Sequence, residues 1–139
     1  MNAVVFGRKT WDAMGRRSLK NRINIILSSK SSKEIGITKE HENTIQIGHF
    51  DDIFALAETQ EQMNEIFICG GSQLYEMAYA NSDKVKNVFW TRVGQKIEGD
   101  VKVSKELFQD FKLMETSKTF SEKKLNYDFT RLVNPNLFP

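Results

Sequence analysis

The sequence predicts an α/β fold: a mostly parallel sheet with helices on both faces and an antiparallel hairpin at its C-terminal end. Three observations predict it. Compact apolar runs recur at 3–6, 23–27 and 66–69, the mark of strands buried on both faces. Helix-like segments separate these runs, as crossovers between parallel strands require. The last third behaves differently: 86–93 reads as a strand, and 111–120 and 126–133 read as a hairpin across the polar Ser121-Glu122-Lys123-Lys124.

Composition bounds the class. With 139 residues, 40% of them hydrophobic and 27% charged, the chain reads as one domain, 1–139, with material for a real core. A formal charge of +2 is too small for a nucleic-acid or membrane-surface protein, so any cationic patch is local and ligand-sized. Cys69 is the single cysteine, which excludes an internal disulfide and a cysteine zinc site and fits a reducing compartment. No apolar run is long enough to span a bilayer, and Met1-Asn2-Ala3-Val4-Val5-Phe6 is not a signal peptide, so a cytoplasmic protein is the expectation.

In chain order, Ala3-Val4-Val5-Phe6 is a strand ended by Gly7, and Trp11-Asp12-Ala13-Met14 begins a short helix that stops at Gly15. A basic loop, 16–21, leads to the β-branched strand 23–27, which Ser28-Ser29 bounds. Residues 30–43 are polar and without clean periodicity and read as a surface loop with room for a helical turn, followed by a brief strand at 44–47. Asp51 is placed to N-cap a helix whose apolar stripe is Ile53, Phe54, Leu56, Ala57 and Met63, running to Asn64. After the strand 66–69, Leu74, Tyr75, Met77, Ala78 and Ala80 mark a second amphipathic helix closing near Asn81. Trp11, Trp90 and Cys69 read as core, and Glu40, Glu42, Glu58, Glu61 and Glu65 as solvated faces.

Three strand ends carry groups suited to an anion. Cys69-Gly70-Gly71-Ser72-Gln73-Leu74-Tyr75 runs from a strand through two glycines into a helix, so backbone can approach a ligand while free N–H groups and a positive dipole end point at it. Gly7-Arg8-Lys9-Thr10 repeats that order with two cations, which oppose the helix dipole unless an anion offsets them. Leu27-Ser28-Ser29-Lys30 adds donors at a third strand end. In open α/β sheets ligands gather at the carboxyl ends of strands, and an extended dinucleotide could touch all three. A glycine after a strand is also ordinary turn punctuation, and Arg8 and Lys9 can be read as a solvated helix start.

Other chemistries lack their signals. The spaced-glycine dinucleotide fingerprint and the P-loop are both absent, so the site is neither a standard Rossmann site nor a P-loop site. His41 and His49 have no partners at metal-ligand spacing, no metal is expected, and Ser72-Gln73 is no nucleophile elbow.

Taken together, the segments resemble dihydrofolate reductase. The resemblance rests on Gly7-Arg8-Lys9-Thr10-Trp11, on Leu19-Lys20-Asn21-Arg22-Ile23-Asn24 running into Ile25-Ile26-Leu27-Ser28, on Cys69 to Tyr75, and on Val88-Phe89-Trp90-Thr91-Arg92-Val93, in order over the whole chain. It implies NADPH-dependent reduction of 7,8-dihydrofolate to tetrahydrofolate. Gly7, Arg8, Lys9 and Thr10 would hold cofactor phosphates, Leu27, Ser28, Ser29 and Lys30 would flank the adenosine 2′-phosphate, and Gly70, Gly71, Ser72, Gln73 and Leu74 would wrap the pyrophosphate, with Tyr75 near the nicotinamide. For the substrate, Arg22 would take the glutamate carboxylate, Met14 and Leu19 would line the aminobenzoyl wall, the Cys69 carbonyl would face the pteridine, and Thr91 would meet, through water, the acid that protonates the substrate. Arg22 argues against a related reductase of riboflavin synthesis.

In that family the acid follows an opening strand and a Leu-Pro-Trp loop, and the match begins only at the second strand. The chain is therefore expected to be N-terminally truncated, with one central strand missing between 66–69 and 86–93 and no catalytic residue of its own. Such a strand, with about five apolar side chains at roughly 1.5–3 kcal/mol each, contributes on the order of 10 kcal/mol, comparable with a domain's net stability. Alternatives are a non-catalytic NADPH-binding module, or a fragment that needs a partner chain. The expected state is a monomer or self-association through unpaired strand edges.

Overall fold

The computed structural model describes residues 1–94 and 106–137. They fall into two compact units, Met1–Met77 and Ala78–Pro139. No helix among the described residues is long and apolar enough to cross a membrane.

The first unit is built on a wholly parallel sheet. Strands β1 (Asn2–Gly7), β2 (Arg22–Leu27), β3 (Thr44–Ile47) and β4 (Ile66–Ile68) lie in the order β3-β2-β1-β4. Ala3 faces Ile23 on one side and Ile66 on the other, and Val5 likewise faces Ile25 and Ile68. Because side chains alternate along a strand, Ala3, Val5, Ile23, Ile25 and Ile47 share one face. There they pack in a single cluster with Ile53 of α2 (Asp52–Thr59) and Leu74 of α3 (Ser72–Ala80). On the other face, Ile26 packs with Trp11 of α1 (Arg8–Ala13) and with Ile35. Both faces are covered, which is why these strands read as continuous apolar runs rather than alternating ones.

Several local expectations change. The polar stretch 30–43 hides a fully buried residue, Ile35, whose carbonyl accepts the Trp11 indole N–H at 2.9 Å. Helix α2 stops at Thr59, whose hydroxyl turns back to the carbonyls of Ala55 and Leu56, and Met63 reaches the core from the turn that follows. Asp51 occupies the N-cap position without a side-chain cap bond. The carboxylate of Asp52 instead accepts the His49 N–H at 3.2 Å, because backbone turns from His49 onward already start the helix. On α3 the buried stripe narrows to Leu74 and Ala78, one turn apart, while Met77 is exposed. Cys69 is exposed rather than core, because β4 is the outermost strand of its sheet.

The second unit is antiparallel. After a short 3-10 turn (Ser82–Lys84), strands β5 (Asn87–Val93), β6 (Lys112–Thr116), β7 (Phe120–Glu122) and β8 (Leu125–Val133) form a sheet in the order β5-β8-β6, with β7 also on β8. The hairpin expected at the C-terminal end lies in this antiparallel sheet. Its turn is only Lys123-Lys124, both left-handed at φ 47° and 67°, the mirror-type two-residue loop that matches strand twist. The segment 111–120 is not one strand. Thr116 faces Thr130 whereas Phe120 faces Tyr127, so one residue is extra there, and the Ser117 hydroxyl accepts the Phe129 N–H at 2.8 Å. Leu107, Phe108, Phe111 and Val133 are buried, and the Phe108 ring stands edge-on to Tyr79 and Phe111. Trp90, expected in the core, is 37% exposed. Strand β4 is the outermost strand of the first sheet and β5 of the second.

Candidate functional site

The two glycine turns of the first unit meet at the carboxyl ends of β1 and β4. The Cys69 N–H donates to the Val5 carbonyl at 2.9 Å and the Gly7 N–H to the Gly70 carbonyl at 2.8 Å, carrying the ladder beyond β4 into the glycines. Gly70 has φ +119°, open to glycine and strained for any other residue, and the Gly70–Gly71 peptide is cis. A Cβ at Gly70 would stand 3.6 Å from both the Thr10 hydroxyl and the Tyr75 phenol oxygen, and one at Gly71 would stand 3.7 Å from Thr10. Gly7, Thr10, Gly70, Gly71 and Tyr75 therefore form one cradle, with backbone at its floor and two hydroxyls at its wall.

Helix α3 opens from that floor. The Tyr75 N–H donates to the Gly71 carbonyl at 3.1 Å and closes the first turn. The amides of Ser72, Gln73 and Leu74 precede it, where helix geometry provides no intrahelical acceptor and the dipole is positive. Leu74 itself turns its side chain into the core, so its contribution at this end is backbone. Desolvation pushes the Tyr75 phenol pKa up, and the neighbouring Cys69 sulfur adds to the effect. Such a site offers close approach and N–H groups to an anion, plus a neutral phenol beside it.

The cations at α1 are arranged differently from the sequence expectation. Arg8 Nη1 donates to Asp12 Oδ2 at 2.8 Å and Arg16 Nε to Asp12 Oδ1 at 2.9 Å. Asp12 therefore offsets the charge that seemed to need an external anion. Its carboxyl is held below the usual range, chiefly by the hydrogen bond from Arg16 and then by the charges of Arg16 and Arg8. Lys9 is exposed and joins no salt bridge among the described residues. The spacing Arg8, Asp12, Arg16 is i, i+4 twice, a signal that was available in the sequence.

At the end of β2, Leu27 packs against the core and Ser28 is buried. The Ser28 hydroxyl accepts the Lys30 N–H at 3.0 Å and its carbonyl accepts the Gln46 amide at 2.6 Å, so Ser28 shapes the turn while Ser29 and Lys30 face solvent.

Four of the residues assigned to a substrate belong to the first unit and Thr91 to the second. Met14 and Leu19 are half-buried and Arg22, the first residue of β2, is exposed. Desolvation pushes the Cys69 thiol pKa up, and the Arg22 guanidinium works against that rise. Thr91 stands on β5 of the second unit, exposed and opposite Phe129. One residue went unread: Asn24, fully buried in the middle of the apolar β2, whose side chain bonds to Leu19 and Arg22. An asparagine inside an isoleucine run is itself a signal, because a buried amide needs partners.

Known proteins share this pattern. The family model described as dihydrofolate reductase matches residues 1–134. A bifunctional dihydrofolate reductase-thymidylate synthase of Paramecium tetraurelia is 33% identical over 135 residues, 96% of this chain and 27% of that protein. A viral dihydrofolate reductase of Saimiriine herpesvirus 2 (strain 488) is 33% identical over 150 residues, covering 99% of this chain and 68% of that protein. A dihydrofolate reductase of Schizosaccharomyces pombe (strain 972 / ATCC 24843) is 34% identical over 104 residues, 67% of this chain and 22% of that protein. The match spans about a quarter of the length of the bifunctional relatives of Paramecium tetraurelia and Plasmodium chabaudi. With a match over nearly its whole length and a cradle at the strand ends where its motifs meet, the chain belongs to the dihydrofolate reductase family.

Proposed function

We propose that the chain supplies the cofactor and folate sites of a dihydrofolate reductase, reducing 7,8-dihydrofolate to tetrahydrofolate with NADPH in the cytoplasm. The observation that carries this reading is the cradle of Gly7, Thr10, Gly70, Gly71 and Tyr75 in a chain of this family. Its residues fit a dinucleotide: the glycines leave room for a pyrophosphate, and Ser72, Gln73 and Leu74 offer first-turn amides to it. When bound, NADPH supplies the hydride.

The protein's own work is to bind, orient and exclude water. Lys9, Ser29 and Lys30 are exposed donors for phosphate, with Ser28 setting the turn of the last two and Asp12 aligning Arg8. Charge-assisted contacts contribute roughly 1.5–3 kcal/mol each, and about 1.4 kcal/mol is tenfold in affinity, so two suffice to prefer the 2′-phosphorylated cofactor. Arg22 takes the glutamate carboxylate in a fork, Met14 and Leu19 flank the aminobenzoyl ring, and the Cys69 carbonyl faces the pteridine. Thr91 acts through water with an acid, and none of the residues named here is assigned as that acid.

A second reading is favoured by one observation. Strand β4 is the outer strand of its sheet, with Phe67 38% exposed, as in a non-catalytic NADPH-binding module or a fragment that works with a partner chain. Calorimetric titration with NADPH and NADH, followed by spectrophotometric NADPH oxidation on adding dihydrofolate, separates the two. The proposal expects at least tenfold preference for NADPH and oxidation that depends on dihydrofolate. Binding without turnover moves the conclusion to the second reading, and absence of NADPH binding overturns both.

A further inference from the structure

Asn24 is a buried polar side chain whose three hydrogen bonds all go to one short segment. Its Oδ1 accepts the Leu19 N–H at 2.9 Å, and its Nδ2 donates to the Leu19 carbonyl at 3.0 Å and to the Arg22 carbonyl at 3.1 Å. The amide thus pairs with both backbone groups of Leu19, as a neighbouring strand would, in a stretch that has no strand beside it in the ladders of β2. Asn24 is anchored in turn. It is completely buried, its backbone faces Val4 on one side and Thr44 on the other, and its N–H donates to the Asn43 carbonyl at 2.7 Å. Between the two ends of the clamp, Asn21 is left-handed at φ 60°, the bend that brings Leu19 back beside β2. A buried strand therefore holds a basic loop whose exposed members, Lys20 and Arg22, show no side-chain hydrogen bond among the described residues.

We propose that Asn24 is a positioning residue for the folate side of the site: it fixes the turn from Leu19 to Arg22 and with it the directions in which those two side chains leave the backbone. The inference rests on the folate reading above, since Leu19 and Arg22 are the residues that reading gives to the aminobenzoyl wall and the glutamate carboxylate. Asn24 touches no ligand atom itself. Its effect is on the pre-organisation of two groups that do, so its loss costs ordering of the loop on binding. It has no route to the cradle of Gly7, Gly70 and Gly71 except through the sheet, so cofactor binding is the internal control.

The test uses the chain as it stands. Asn24→Thr suits a strand, approximates the volume and cannot reach Leu19. Folate and NADPH are titrated separately into the unaltered chain, Asn24→Thr, Arg22→Gln and the double variant. The expected result is that Asn24→Thr weakens folate about tenfold or more and NADPH less than twofold, and that most of the folate loss disappears in the Arg22→Gln background. Equal losses for folate and NADPH, or a folate loss unchanged by Arg22→Gln, overturn the proposal, because a general structural role predicts both. Amide hydrogen exchange on the unaltered chain decides the clamp even if the variant fails to fold. The Leu19 amide should be protected like those of Ile25 and Ile26, and exchange at the rate of Lys20 overturns the proposal. A chain that binds NADPH but no folate overturns the folate reading instead, and leaves the Leu19 protection to decide the clamp.

Discussion

The two units bury their strands in opposite ways. In the first, β1 and β2 put four consecutive residues each out of solvent, because α1 with Ile35 covers one face and α2 with α3 the other. In the second, β5 also carries an apolar run, Val88-Phe89-Trp90, yet Phe89 is 66% exposed, and Phe129 of β8, which faces Thr91, is 50% exposed. Similar residues therefore do different work. In the parallel sheet they are the core, whereas in the antiparallel sheet the order comes from the ladder, from the paired rings of Phe120, Tyr127 and Phe129, and from the ion pairs Arg92–Asp128 and Arg131–Glu115. Stability should be concentrated where burial is, and ligand binding where the buried sheet ends.

The sharpest way to break that comparison is to truncate one side chain in each unit. Ile25→Ala removes a fully buried branch between β1 and β3, and large-to-small changes of this kind cost about 2–5 kcal/mol. Phe129→Ala, half exposed, should cost less than about 1.5 kcal/mol, mostly the ring contacts with Phe120 and Tyr127. Urea unfolding midpoints measure both. If Phe129→Ala equals Ile25→Ala, the antiparallel face carries a core role that its exposure denies.

The next effect falls at the end of the buried sheet. Gly70→Ala places a Cβ at φ +119°, a conformation whose strain is about 1–3 kcal/mol for a residue with a side chain. The added methyl also enters the cradle 3.6 Å from Thr10 and Tyr75. NADPH affinity should fall by more than tenfold, while Gly48→Ala, with nothing within 4 Å of its added Cβ, should leave it unchanged. Equal affinities for the two variants would detach the cradle from the cofactor.

The same contrast decides what could be read from the sequence. The parallel strands were legible because residues buried on both faces leave an uninterrupted apolar run, and the glycines after them stood out for the same reason. That both glycine turns lie at one end of the sheet was legible from the strand–glycine–helix order, whereas the direct bond between Gly7 and Gly70 depends on β1 lying beside β4. Asp12 is legible by its i, i+4 spacing from Arg8 and to Arg16, and that spacing competes with the plain reading of a solvated helix start. Ile35 was hidden because a single buried residue in a polar stretch makes no period. In the second unit the Lys123-Lys124 turn carries none of the asparagine or glycine that normally announces left-handed backbone, so the turn was drawn too long and the bulge before β7 was missed. Exposed aromatic strands read like buried ones, which is why Trp90 was misplaced.

The smallest effect concerns charge. Asp128 is held below the usual carboxylate range chiefly by its two hydrogen bonds from Arg92, at 2.8 and 2.7 Å, and Glu115 by the bond from Arg131. A depressed folded pKa means that the unfolded chain takes up the proton first. Each pair's stabilisation is therefore fully present above the unfolded value, about 4 for a carboxylate, and is lost as pH falls through the lower folded value. Glu115 and Arg92 are exposed and Asp128 lies partly buried at the surface, so the contribution is small and salt screens it. Asp128→Asn should lower the urea midpoint slightly at about pH 6, and the gap from the unaltered chain should narrow as pH falls below about 4 and shrink at high salt. Asp12 sharpens the comparison, because it answers two arginines in the first unit where Asp128 answers one in the second. Asp12→Asn should show the same closure with falling pH and, alone of the two, a change in NADPH affinity, since it frees Arg8 at the cofactor end of the buried sheet.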